Sequence, residues 1–381
     1  MDCNFEKNGD LFKCSACGTL KRRQSRRTCP AGGGLGDAVA AVASRIGIKS
    51  CGGCKKRQSW LNRMTPWRKR ADVVIVFAQS AAPGWLETRG DLVGKFLEEN
   101  GRSAYLVQID TNSEEDLREV LKKLRPRLLI NRAFFIKQEM IEKAAAKFKR
   151  TRFLTVNHSS HAYTQASDSW VREQAASIEL AARRENCFLA HVDERDVLGS
   201  LGLRRCMYLP NVVTTPDIKP KPLESLERPL VSICGRWHLV KNQIQQMMAI
   251  KMLGDARALF VMKGRENLQE ITAKSIGLEY ELVGWQNWRD WHRTIVERVA
   301  VGMQASFSES FNYVALEHLQ LGRPVVGSTA VRYLPDSWKA DPDSPHDMAL
   351  VLDRHLAHYS ERSEQAKAIA EKVKARNNTA F

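Results

Sequence analysis

The sequence lacks any apolar run approaching the length of a membrane span, so no transmembrane helix is expected. Its start, Met1-Asp2-Cys3-Asn4, lacks the charged and apolar regions of a secretory leader, and a cytoplasmic protein is expected. The nine cysteines are an odd number. In a chain without a leader they argue against a disulfide framework and for thiols and metal ligation. Acidic residues are scarce in one place. Residues 1–70 hold 4 Asp/Glu against 16 Lys/Arg, a net of +12. The remaining 311 residues hold 39 against 43, a net of +4. The excess charge therefore belongs to an N-terminal module rather than to the body. A basic module on a near-neutral body points to a polyanion partner, with nucleic acid first and an anionic membrane surface second. What is present is core material. With 381 residues, 43% of them hydrophobic, the chain is long enough for one large or two to three ordinary domains.

Within the module, Cys14-Ser15-Ala16-Cys17 is a C-x2-C pair, a spacing that lets two thiolates reach one tetrahedral zinc. Cys3 and Cys29 are candidates for the other two ligands. Apolar residues are few here, so a structural zinc would replace a core. The alternative is a basic tail with incidental cysteines. Between Cys17 and Cys29 run Lys21, Arg22, Arg23, Arg26 and Arg27, a basic loop suited to phosphates. Cys51 and Cys54 form a second C-x2-C that completes the first site, makes a separate one or is redox-active. Residues 32–37, Gly-Gly-Gly-Leu-Gly-Asp, lie before the first expected Rossmann strand rather than after it and read as a joint. Lys55, Lys56, Arg57, Trp60, Trp67 and Arg68 interleave cations and aromatics, as single-strand and backbone binders do.

From Ala71 the pattern changes to alternating strands and helices. Strands are expected at residues 73–77, 105–109, 128–130, 153–156, 187–191 and 207–213, with a helix starting at Ser113 and burying Leu117, Val120, Leu121 and Leu124. A linker carrying Pro216, Pro220, Pro222 and Pro229 follows. Further strands are expected at 230–234, 258–262, 281–284, 303–307 and 324–327, and an amphipathic tail helix over 348–373. The domains read as a Cys-rich module 1–70, a lobe 71–215, a linker 216–229, a lobe 230–355 and a terminal helix 356–381. In doubly wound lobes, ligands bind beyond the C-terminal ends of the strands.

One stretch organises the body. In residues 308–326, Glu309-Ser310-Phe311-Asn312 separates a strand from a helix on which Val314, Leu316, Leu319 and Leu321 are spaced, stopped by Gly322. A strand-to-helix turn offers unpaired N–H groups to an anion. Two carboxylates, Glu309 and Glu317, bracket it. This E-x7-E pattern, followed by Gly322-Arg323-Pro324-Val325-Val326, resembles the retaining family 4 glycosyltransferases. Upstream, Gly235-Arg236 with Lys241-Asn242 resembles that family's Gly-Arg…Lys-Asn element, and residues 207–213 resemble its Ile-Pro-Asn-Gly-Val segment. The family's Gly-Phe-Gly after the first acid is Ser310-Phe311-Asn312 here.

The resemblance covers about residues 71–360. It implies an α/β GT-B fold of two facing Rossmann-like lobes and transfer of a sugar from a nucleotide-sugar donor, such as UDP-glucose, without a catalytic metal. By the same resemblance Glu309 and the backbone of Ser310, Phe311 and Asn312 hold sugar and phosphate. Glu317 holds ribose, Val283 lies beside the base, and His158 faces acceptor and donor sugar. Arg236 and Lys241 neutralise the diphosphate leaving group, as its charge requires. Trp285, Trp288 and Trp291 read as core or as a stacking wall. A basic module fused to such a body resembles the phage enzymes that glucosylate hydroxymethylated pyrimidines. That implies DNA as the acceptor and an infected host cell as the location. The alternatives are a lipid- or polysaccharide-directed transferase and a nucleic-acid-binding protein with a catalytically silent body.

Overall fold

The computed structural model describes residues 71–78, 93–94, 96–109, 113–132, 134, 136–160, 164–165, 167–193, 204–223, 225–235, 237–261, 266–284 and 286–380, with the strands Phe5–Asn8, Leu11–Cys14 and Leu20–Lys21. Those three strands, β1 to β3, form an antiparallel sheet that pairs Phe5 with Cys14 and Lys13 with Leu20. The rest of the N-terminal module lies outside the described residues, including Cys3, Cys17, Cys29, Cys51 and Cys54.

The chain forms two compact units. One comprises Met1–Asn157, Arg172–Ala190 and Ser200–Met207, and the other His158–Val171, His191–Gly199 and Tyr208–Phe381.

The first unit is built on a six-stranded sheet of β4 (Val73–Ala78), β5 (Ala104–Ile109), β6 (Leu128–Arg132), β7 (Arg152–Asn157), β8 (Cys187–His191) and β9 (Cys206–Tyr208), in the order β5-β4-β6-β7-β8-β9. The pairs β4–β5, β4–β6 and β6–β7 are parallel. Parallel strands read as near-continuous apolar runs because both faces are covered, and Val73 to Val76 are all buried. Helix α1 (Glu114–Leu124) starts where Ser113 predicts: its Oγ accepts from the Asp116 N–H at 3.1 Å, a cap worth about 1 kcal/mol. Leu117, Leu121 and Leu124 face the sheet and join one core with Val74, Leu129 and Phe153. Val120 packs against it from a partly exposed position. Helices α2 (Gln138–Lys147) and α3 (Asp168–Arg183) follow β6 and β7.

The second unit carries a five-stranded parallel sheet of β10 (Leu230–Cys234), β11 (Arg257–Val261), β12 (Tyr280–Val283), β13 (Val301–Gln304) and β14 (Val325–Gly327), in the order β12-β11-β10-β13-β14. The chain runs outward from β10 through β11 to β12, then returns to the other side of β10 as β13. The order therefore switches between β10 and β13. Helices α4 (Gln243–Met252), α5 (Glu266–Ser275), α6 (Trp288–Arg298) and α7 (Tyr313–Gln320) link the strands.

Some boundaries differ from expectation. The strand expected over 207–213 is only Cys206–Tyr208, because side chains rather than a strand pair the rest. Asn378 clamps Val213, accepting from its N–H at 3.0 Å and donating to its carbonyl at 2.9 Å. Asn377 donates to the Asn211 carbonyl at 2.9 Å. The strand expected over 303–307 ends at Gln304, where the chain turns. The single tail helix is two, α8 (Pro345–Ala357) and α9 (Tyr359–Ala380), broken at His358.

Candidate functional site

In open α/β sheets the crevice at the switch in strand order, outside the C-terminal ends of the strands, is where ligands bind. Here it lies beyond Cys234 and Gln304, and both segments singled out by sequence emerge there. Gln304, the last residue of β13, ties the two strand ends together by donating to the Cys234 carbonyl at 3.2 Å. Past β10, residues 239–241 form one 3-10 turn, and Asn242 enters α4 in the left-handed conformation (φ 53°). Asn242 fixes the turn by donating to the carbonyls of Ala305 (3.1 Å) and Pro342 (2.6 Å). The Phe307 N–H donates to the Val240 carbonyl at 2.9 Å. These bonds bring Lys241 to Glu309.

The Lys241 ammonium lies 2.5 Å from Glu309 Oε1. The Asn312 amide donates to the same oxygen at 3.1 Å and to Gln304 Oε1 at 3.1 Å. Asn312 Oδ1 accepts from the Ala315 N–H at 2.9 Å, capping α7. Glu309 is 7% exposed, a degree of burial a carboxylate tolerates only when paired and hydrogen-bonded. The departure from Gly-Phe-Gly now has a physical account. Asn312 sits at φ 58°, a left-handed position natural to glycine, and asparagine is among the few side chains that adopt it readily. Asparagine adds what glycine lacks, a cap and a donor to Glu309. Phe311 turns away into a ring cluster with Tyr313 and Tyr333, at centroid distances of 4.8 and 5.4 Å. The Tyr333 hydroxyl donates to the Asn312 carbonyl at 2.5 Å.

Glu317, 8% exposed, accepts from the Trp291 indole N–H at 3.0 Å. Trp291 is buried core, yet its one polar atom holds a carboxylate. Val283 and Trp288 are partly buried against the same cluster as Trp291. Directly beneath, His318 is fully buried. Its Nε2 lies 2.6 Å from Ser232 Oγ and its Nδ1 2.7 Å from the Val314 carbonyl. A Cβ on Gly302 would meet His318 Cδ2 at 2.8 Å, so helix α7 seats on the sheet where β13 has no side chain. Burial, with the Arg323 guanidinium nearby, pushes His318 down to about 4. Burial and the Lys241 ammonium push His238 below its ordinary value. Burial and the Glu317 carboxylate push the Cys234 thiol far up, so it is no nucleophile.

His158 and Ser160 belong to the second unit. Ser308 Oγ donates to Ser160 Oγ at 2.6 Å, so the segment with His158 runs against the turn that leads into Glu309. Arg236, Trp285 and His161 lie outside the described residues. Of the predicted zinc ligands only Cys14, at the end of β2, has a described backbone. Among the described residues no group of His, Cys, Asp or Glu has the arrangement of a metal site, and no helix is long and apolar enough to cross a membrane.

Gln304 and Tyr333 escape sequence reasoning, as does the bond from Trp291 to Glu317, because nothing in their local spacing marks a residue that acts across the fold. Asn242 was legible in part: it stands in the Gly-Arg…Lys-Asn element, whose asparagine had no assigned role.

No protein-family model and no curated protein matches the sequence. Solved structures do match. Sucrose-phosphate synthase from Thermosynechococcus elongatus has a TM-score of 0.65 at 14% identity, over 82% of this chain and 95% of that one. The UDP-forming α,α-trehalose-phosphate synthase from Burkholderia xenovorans has a TM-score of 0.61 at 12% identity, over 82% and 96%. The Anabaena protein HepE, solved with UDP and glucose, has a TM-score of 0.59 at 14% identity, over 82% and 96%. The fold is thus the α/β GT-B fold of glycosyltransferases.

Proposed function

We propose that this chain is a nucleotide-sugar-dependent glycosyltransferase of the retaining family 4 type. The observation that carries the reading is the Lys241–Glu309–Asn312 cluster, with Glu317 on the helix that Asn312 caps, at the strand-order switch of the second unit. Without donor, Lys241 and Glu309 neutralise each other. A bound diphosphate competes for the ammonium and frees the Glu309 carboxylate for sugar hydroxyls. Arg236 and Lys241 then stabilise the charge that develops on the leaving diphosphate, a task for preorganised cations. Glu317, held by Trp291, takes the ribose, with Val283 toward the base. The backbone of Ser310, Phe311 and Asn312 faces sugar and phosphate, and His158 faces the acceptor. The donor sugar is glucose carried by UDP, in keeping with the UDP and glucose bound to HepE.

The acceptor is a hydroxymethylated base of phage DNA, the reading favoured by the net charge of +12 in residues 1–70. Cys3, Cys14, Cys17 and Cys29 hold a structural zinc in that module, the four thiolates suiting a tetrahedral ion. Incubating hydroxymethylated DNA with a panel of nucleotide sugars, followed by mass spectrometry of the nucleosides, tests the reading. A hexose on the modified pyrimidine is expected. Donor hydrolysis without transfer to DNA would remove the acceptor and leave the transferase. No donor turnover with any sugar would remove both. Elemental analysis of reduced protein, expected to find zinc, tests the module separately.

A further inference from the structure

The near-neutral total of residues 71–381 conceals a second basic surface. The segments leading into β6, β7, β8 and β9 are residues 125–127, 147–152, 183–186 and 204–205, which together hold ten Lys/Arg against one acid, the exposed Glu185. They gather along one edge of the first unit's sheet. The Arg152 N–H donates to the Arg127 carbonyl, Phe153 N–H to Asn186, and Leu189 N–H to Arg205, at 2.8 to 2.9 Å. The four strand entrances are therefore neighbours, spanning about 14 Å at ~4.8 Å per strand. Some of the cations are paired: Arg127 lies 3.8 Å from Asp72, Lys147 3.5 Å from Glu114, and Arg183 and Arg184 each 3.4 Å from Glu142. The exposed Lys149, Arg152 and Arg204 form no ion pair among the described residues.

On the same edge a recess of about 530 Å³ opens, lined by Arg127, Arg150 and Arg152 with Leu128, Leu154 and Phe188, and with the exposed Met207 beside them. This is within the usual size of a ligand site, about 300–1,000 Å³. An apolar lining with a partly exposed ring, among arginines and no acid, fits a group that is planar and apolar at one end and anionic at the other. A nucleotide unit of a nucleic acid has that chemistry. Arginine both stacks on bases and forks onto phosphate, and an aromatic face binds bases of any sequence. A bilayer fits less well, because Leu154 is buried and Phe188 half-buried, so that Met207 alone projects among the arginines.

We propose that the β6–β9 edge of the first unit is a single-stranded nucleic-acid site, in which a base enters the recess onto Phe188 and the flanking phosphates lie on Arg150, Arg152 and Arg204. It shares its class of partner with the acceptor reading above and rests on that reading only there. A base hydroxyl must leave the stack to be reached, so a site that prefers unpaired strand would hold DNA opened near the modified base.

The full chain and its variants are tested for binding a fluorescent single-stranded oligothymidylate, at about 50 and about 200 mM salt. Replacing the exposed Arg150→Gln, Arg152→Gln and Arg204→Gln together should weaken binding at least tenfold. It should also flatten the salt slope by about 2, at about 0.7 per phosphate contact for three contacts. A control removing the same charge elsewhere (Lys274→Gln, Arg289→Gln and Lys372→Gln) should change affinity less than about twofold. Phe188→Leu should weaken single-strand binding roughly tenfold and leave duplex binding unchanged. UDP affinity, a check on the fold, should not move in any variant. Wild-type-like affinity in the triple variant or in Phe188→Leu overturns the site. So does a full chain that ignores single strands, or one whose triple variant loses only affinity for phosphatidylserine vesicles. If the triple variant loses single-strand binding and no sugar reaches DNA, this site stands and the acceptor reading falls. If sugar reaches DNA and the variant binds normally, the reverse holds.

Discussion

The strand ends beyond β10 and β13 and the strand entrances of β6 to β9 are both polar, and they are built in opposite ways. Beyond β10 and β13 the charges are few, nearly buried and saturated with partners. Glu309 accepts from Lys241 and Asn312, and Glu317 from Trp291. At the other edge the charges are many and mostly of one sign, ten cations to the single Glu185 in the strand entrances, and Lys149, Arg152 and Arg204 are exposed. Buried partners fix a carboxylate's position to suit a small ligand, at a desolvation cost repaid only by good geometry. Exposed cations fix nothing and are screened by salt within about 10 Å, which suits a flexible polyanion. One unit thus carries a site whose residues depend on one another. The other carries a surface whose residues add up.

The most forceful way to sharpen that contrast is acid. The histidines His292, His318 and His355 are pushed down to about 3, about 4 and about 4, and all three lie in the second unit. Burial is the main cause, aided by His318 beside His292, Arg323 beside His318, and Arg362 and Arg354 beside His355. Their folded values lie below the ordinary 6.5, so below that pH the unfolded state binds more protons. The stability they confer is complete above pH 6.5 and is lost as pH falls toward 4 and then 3. Each costs about 1.4 kcal/mol per unit of pH in that window. Hydrogen exchange at falling pH should show the second unit opening first, and simultaneous opening of both would break the contrast.

Next in size is Lys241→Ala, which should lower kcat about a hundredfold and cost about 1–3 kcal/mol by leaving Glu309 short of a donor. Arg152→Ala should do neither, as steady-state turnover on a small acceptor and thermal unfolding would reveal. Gly302→Ala follows. Its methyl drives into His318 and should cost about 1–3 kcal/mol, read as a lower Tm with a weakened E-x7-E helix. The smallest effect is expected of Trp291→Phe. It keeps most of the ring packing and removes the donor to Glu317, so donor KM should rise about tenfold with kcat little changed. A fall in kcat at constant KM would place Glu317 at the reacting bond instead.

The strands of the two parallel sheets were legible because such strands are near-continuous apolar runs, so Val73 to Val76, and Leu230 to Ile233 broken only by Ser232, announce themselves. The charged pair Lys241 and Glu309 was legible as two separate elements. Their meeting was not, since it depends on Asn242 and Gln304 tying the ends of β10 and β13 across the sheet. Trp291 reads as core and is core; only its position opposite Glu317 gives its nitrogen a task. The basic edge was invisible for a different reason. Its cations come from four loops scattered over some eighty residues whose totals cancel against acids on α1, α2 and α3, and only the parallel pairing collects them.

The contact between Gly302 and His318 has a consequence for how this chain diverges. The imidazole fills the space a side chain at position 302 would need, so neither position is free to drift alone. Among related sequences the two should vary as a pair, a methyl or larger group at 302 arriving only with a smaller residue at 318. The carboxylate at 317, one residue away, inherits that constraint. Lineages that break the pair should be those that have also lost, or moved, the acid beside it.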